Sequence, residues 1–113
     1  MKFYLDGRLL FVDMLHRYAY VVVEGDRPPI SYHFTRDSAE RSAAEQRERR
    51  REYIRQFEQA LDVNEITRMQ EAPARLYRSI REDYPTPSEI HAAIQRQKRT
   101  LASIRIEPLE VRE

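Results

Sequence analysis

The sequence has no cysteine and no tryptophan, only two glycines, and lysine only at positions 2 and 98. Without cysteine there is no disulfide framework, no zinc–thiolate site and no cysteine nucleophile. Stability therefore has to come from an apolar core. With glycine confined to positions 7 and 25, neither a glycine-rich phosphate loop nor a dinucleotide fingerprint can be formed. No apolar run reaches the length of a signal segment or a membrane span, and acidic residues stand at positions 6 and 13, so the expectation is a cytoplasmic protein. A strong excess of one charge is also missing. The formal net charge is +1, residues 1–35 carry four basic and four acidic side chains, and none of the segments 36–61, 62–85 and 86–113 departs from neutrality by more than one charge. A domain that depends on non-specific phosphate contacts usually has a clear surplus of cations.

What is present is aromatic bulk and paired charge. The 113 residues are 41% hydrophobic and 35% charged, with seven tyrosines and four phenylalanines. This is a globular composition of a length that suits a single domain over 1–113. Almost all the cations are arginine, whose planar, multi-donor group suits carboxylates, phosphates and aromatic faces.

The pattern along the chain predicts an α+β fold: a small N-terminal antiparallel sheet of three to four strands (1–35) packed on a long helix, with two or three shorter helices completing a helical region (36–103). "RYAYVVVE" (17–24) and "ISYHFT" (30–35) are β-branched, aromatic and alternating, and "EGDRPP" between them is turn chemistry. They read as a hairpin. Asp6-Gly7, between two apolar runs, reads as another. From Asp37 the chain is rich in Ala, Glu, Gln and Arg without Gly or Pro, which predicts a helix from about 38 to 61, capped by Asp37 with Glu40 as its box partner. Asp62 with Glu65 starts a short helix, and Thr86 with Pro87 and Glu89 starts the last one. The segment 104–113 alternates again and reads as a tail or an added strand. Tyr20, Val22, Ile30, Tyr32, Phe34, Ile54, Phe57, Leu61, Leu76, Ile80, Ile90, Ile94 and Leu101 are the expected core.

Five arginines crowd "RERRREYIRQ" (47–56). Arg49 has Glu45 and Glu52 one helical turn away, Arg51 has Glu48, and Arg55 has Glu52 and Glu58; such pairs neutralise the local field. Arg47 and Arg50 have no acidic residue three or four steps away, and Arg50 lies on the stripe that joins Ala39 and Ala43 to Ile54, Phe57 and Leu61. Arg47, Arg50, Arg51 and Tyr53 are therefore the candidate partner-binding residues, combining arginine and tyrosine as binding hot spots do.

The histidines, at 16, 33 and 91, are too scattered for a metal site. Asp13 is near His16, Asp37 is near His33, and strand pairing would bring His16 toward His33, but we expect no serine, cysteine or lysine nucleophile to be placed to act with such a base–orienter pair. We expect no catalytic residue, no metal and no cofactor. Phe34, Thr35, Arg36, Asp37, Ala39 and Glu40, within the passage 20–46, form a strand-to-helix junction that resembles the arm-type DNA-binding domain of phage tyrosine integrases. That resemblance implies three strands followed by a helix, with the sheet directed at DNA. In that family the strands carry basic residues, where this chain has mainly Tyr, Val and His.

The expectation is a non-enzymatic interaction protein that binds and inhibits or regulates a macromolecular complex, as a bacterial or phage accessory protein directed at host nucleic-acid-handling or defence machinery does. Its partner would be another protein or a ribonucleoprotein complex, with no membrane. The alternatives are a DNA- or RNA-binding regulator using the arginine-rich helix and the aromatic sheet, and a small nuclease or toxin-like enzyme.

Overall fold

A computed structural model describes residues 1–13 and 17–113 and shows the α+β arrangement. Four strands come first: β1 (Lys2–Leu5), β2 (Arg8–Val12), β3 (Tyr20–Glu24) and β4 (Ser31–His33). The helices are α1 (Arg36–Ala60), α2 (Val63–Arg68), α3 (Glu71–Asp83) and α4 (Pro87–Ala102), and two further strands close the chain, β5 (Ile104–Pro108) and β6 (Glu110–Arg112). The chain divides into two compact units: Met1–Arg47 with Ser103–Glu113, and Glu48–Ala102.

In the first unit the strands form two three-stranded antiparallel sheets, ordered β2-β1-β6 and β4-β3-β5. Both expected hairpins are present. Asp6 and Gly7 have φ of 50° and 78°, the left-handed pair that a two-residue hairpin turn requires, and asparagine, aspartate and glycine adopt it most easily. The tail supplies the third strand of each sheet. At Leu109 it leaves one sheet for the other, while the Leu109 amide donates to the Ala19 carbonyl at 2.8 Å.

The sheet β4-β3-β5 lies against the first half of α1. Its central strand β3 is covered on both faces, so Val21, Val22 and Val23 are all buried and the strand is apolar without alternation. Ala39 and Ala43, fully buried on α1, allow close approach, and Ser31 Oγ lies 2.8 Å from Ser42 Oγ. The helix begins one residue earlier than Asp37: Thr35 is the cap, its hydroxyl accepting from the Ser38 amide at 3.2 Å, and Asp37 lies inside the first turn. Glu40 accepts from Arg36 instead of completing a capping box.

Alternation in β4 is as expected, but its sides are reversed. Ser31 and His33 face α1, where hydroxyl groups of the helix meet them, and Ile30, Tyr32 and Phe34 are exposed. The strand is terminal in its sheet, and Phe11 and Tyr18 cover that row only in part. Phe3 is instead the largest fully buried side chain of this unit.

In the second unit Ile54, Ile90 and Ile94 form the core, with Phe57, Leu61, Tyr84 and Leu101 packed around it. Phe57 and Tyr84 meet edge to face, with centroids 5.4 Å apart. Asp62 and Thr86 act as caps, accepting from the amides of Glu65 at 3.0 Å and Glu89 at 3.2 Å. Leu76, expected in this core, is exposed on α3; the helix buries Ala74 and half-buries Tyr77 and Ile80. No helix among the described residues is long and apolar enough to cross a membrane.

Candidate functional site

The 47–56 ridge is built on α1. At 3.6 residues per turn, side chains at 47, 50 and 53 form a slanted row that turns through roughly 120°. Arg47, in the first unit, is half-buried and its Nη2 donates to the Ile104 carbonyl at 3.2 Å. Arg50, in the second, is half-buried, donates from Nη1 to Gln97 Oε1 at 3.1 Å, and lies 5.8 Å from the centre of the Tyr53 ring. Both arginines therefore have structural bonds to distant parts of the chain that helical spacing does not reveal. Arg51 and Tyr53 are exposed, and Arg51 lies 3.6 Å from Glu48.

The local pairing also differs from the spacing rule. Arg55 holds both Glu48 and Glu52 at 2.6 Å. This hydrogen bond from Arg55, with its charge, keeps the Glu48 carboxyl below the usual carboxylate range, and the bonds it donates to Glu48 and Glu52 raise the Arg55 guanidinium. Glu52 is thus taken by Arg55, and Arg49 makes no ion pair within 4.0 Å among the described residues, although Glu45 and Glu52 lie one helical turn from it.

His33 overturns a second expectation, that no serine is placed with a histidine. Its Nε2 lies 2.6 Å from Ser31 Oγ and its Nδ1 lies 2.7 Å from Ser38 Oγ, and Ser42 extends the chain beyond Ser31. Two of these serines come from the helix, so the cluster is assembled across the β4–α1 corner. A hydroxyl donating to an imidazole is the arrangement that activates a serine nucleophile. Here the third group is a neutral hydroxyl, not a carboxylate, and the same bonds fasten β4 to α1. The pairings suggested for His16 lie outside the described residues, and His91 is exposed on α4. No group of three or more His, Asp or Glu able to hold a metal ion occurs among the described residues.

The first unit also contains a cleft of about 880 Å³ whose rim carries Arg8, Arg27 and Arg105 against Asp6 and Asp26. Arg27 and Arg105 bind Glu24 and Glu107, so the rim has no net cationic excess.

The feature that sequence reasoning misjudged most is aromatic. Tyr18 and Phe34 stack in parallel, with centroids 4.9 Å apart, and Tyr32 meets Phe11 edge on at 4.8 Å and Tyr18 at 5.7 Å. Tyr32 and Phe34 are nonetheless 38% and 55% exposed, and Ile30 on the same side of the strand is 42% exposed. Strand alternation revealed the row but not whether it faces inward. No family model matches this chain, and neither a curated protein nor a solved structure is detectably similar to it.

Proposed function

We propose that the chain is an interaction protein that binds another protein through the β4 row and acts by occupying a surface of the complex it joins, as an inhibitor or regulator does. One observation supports this reading above the others: Ile30, Tyr32 and Phe34 stand side by side on a terminal strand with their apolar surface in water. Scattered exposed apolar residues are ordinary; a contiguous row of two aromatics and an isoleucine is not. Aromatic rings already held by neighbours lose little rotamer freedom on binding, which suits them to be anchors. The near-neutral charge favours a protein partner over nucleic acid. On α1, Arg51 and Tyr53 are the exposed members of the arginine ridge and its clearest candidates for a contact.

The test is capture from a bacterial lysate on immobilised protein, with and without nuclease. A specific protein should be retained by the parent after nuclease treatment and lost with Tyr32→Ser/Phe34→Ser. Leu76→Ser, which removes an equally exposed apolar side chain elsewhere, should retain it. Equal retention by the Tyr32/Phe34 variant would refute this reading, and retention that disappears with nuclease would favour a nucleic-acid partner.

A further inference from the structure

A second surface has a chemistry of its own. In the sheet β2-β1-β6, Phe3 points inward and is fully buried, so its neighbours Lys2 and Tyr4 point to the opposite face. Their cross-strand partners share that face. Lys2 stands between Val12 on β2 and Arg112 on β6, and Tyr4 stands between Leu9 and Glu110. Val12 is 58% exposed and Leu9 51% exposed. The solvent face of an antiparallel sheet is usually polar throughout; this one sets bare aliphatic side chains on β2 beside cations on β1 and β6.

Lys2 and Arg112 are like charges directly opposite each other, a pairing that destabilises a sheet unless something relieves it. Arg112 is fixed in place. Its Nε donates to Glu110 at 2.8 Å and its guanidinium carbon lies 4.2 Å from the centre of the Tyr4 ring. Glu110 and the Tyr4 ring thus hold its charge on the strand that pairs with Lys2. Lys2 and Arg112 outnumber Glu110, so the face is net positive, with Leu9 and Val12 adjacent.

We infer that this face docks an acidic, aliphatic segment of a partner protein, with a carboxylate between Lys2 and Arg112 and apolar side chains on Leu9 and Val12. The inference rests on the reading that the chain is an interaction protein, but it uses a different surface from the β4 row. Charge complementarity selects the segment's acidic residues. The exposed aliphatic side chains select protein over nucleic acid: Leu9 and Val12 offer no ring for a base to stack on, the Tyr4 ring is occupied by Arg112, and Glu110 opposes a continuous phosphate backbone.

Fluorescence anisotropy with labelled peptides tests this at low salt. The probes are a peptide of alternating glutamate and leucine, its lysine–leucine counterpart, and an oligothymidine. The parent should bind the glutamate–leucine peptide and not the lysine–leucine one. Lys2→Gln/Arg112→Gln should weaken binding about tenfold or more, and Val12→Ser should weaken it too. Because the two cations repel each other, the double variant should keep the parent's urea midpoint; if it does not fold, Lys2→Met alone should show the same direction of change. Equal binding of the two peptides, or unchanged binding by a folded Lys2/Arg112 variant, would overturn the inference. So would tighter binding of oligothymidine that depends on Lys2 and Arg112. Tyr32→Ser/Phe34→Ser should bind the peptide normally; if that variant alone loses it, this inference fails while the β4 reading stands.

Discussion

The side-chain amide of Gln46 on α1 donates a 2.7 Å hydrogen bond to the carboxylate of Glu24, which is only 3% exposed at the end of β3. Gln46 occupies the helix face that Ala39 and Ala43 make apolar, and the buried carboxylate explains why a polar side chain belongs there. Removing a partner from a buried acceptor costs about 1–3 kcal/mol. Gln46→Ala should destabilise the protein within that range, toward its lower half because Arg27 still reaches Glu24 at 3.3 Å. Urea denaturation measures it, and an unchanged midpoint would show that Glu24 needs no helix partner.

His33→Leu should cost about 1–3 kcal/mol, because both ring nitrogens are bonded in a half-buried corner and leucine leaves Ser31 and Ser38 to find other partners. The measurement is again the urea midpoint. A stable His33→Leu variant would mean that these bonds fasten nothing.

In the second unit the isoleucines and the leucine of α3 should separate clearly. Ile90→Ala removes a side chain 1% exposed and should cost about 2–5 kcal/mol. Phe57→Ala should fall near or below about 3 kcal/mol, since the ring is only partly buried against the core. Leu76→Ala should change stability by no more than about 0.5 kcal/mol, since the side chain is 44% exposed.

Arg50 and Arg51 are neighbours in sequence with different expected effects. Arg50→Ala breaks the bond to Gln97 and the contact with Tyr53, and should cost stability on the order of 1 kcal/mol. Arg51→Ala should leave the urea midpoint unchanged. If the α1 ridge contacts the partner, Arg51→Ala and Tyr53→Ala should weaken binding by about 2 kcal/mol for a hot spot, without loss of stability. Unchanged affinity in both would remove the ridge from the interface.

The Glu48 carboxyl is held low by the hydrogen bond from Arg55. A depressed carboxyl stabilises the fold above its unfolded pKa, and that contribution is lost as pH falls through the lower folded value. Carbonyl NMR should therefore place the Glu48 titration below the ordinary carboxylate range, and Arg55→Gln should return it toward that range. Because the pair lies on the exposed face of the helix, added salt should shrink the effect.

Local chemistry was legible where a few adjacent residues suffice. The Asp6-Gly7 turn, the caps at Asp62 and Thr86, and the change from strand alternation to helix composition near residue 36 all depend on neighbours in sequence. The Asp37 cap was misplaced by two residues because Thr35, equally able to accept, precedes it. Pairing rules by helical spacing gave Glu52 to Arg49 as well as to Arg55, and Arg55 takes it; Arg55 also reaches Glu48 across seven residues, farther than those rules consider.

By itself, then, the sequence determined the element types up to residue 103, their order, most of their ends and the two hairpins, because backbone preference and alternation are short-range properties. Tertiary structure alone decided which side of an alternating strand is wet. Ile30, Tyr32 and Phe34 form the same row whether they face inward or outward, and burying Ser31 and His33 instead depends on hydroxyls brought from α1. It also decided where the tail pairs, β5 on β3 and β6 on β1, which places Arg112 opposite Lys2, and how Arg47 and Arg50 are held through acceptors about fifty residues away. These are contacts between distant segments, and no local preference encodes them: each exists because folding brings a donor, an acceptor or an apolar face to a place that only the packed chain defines.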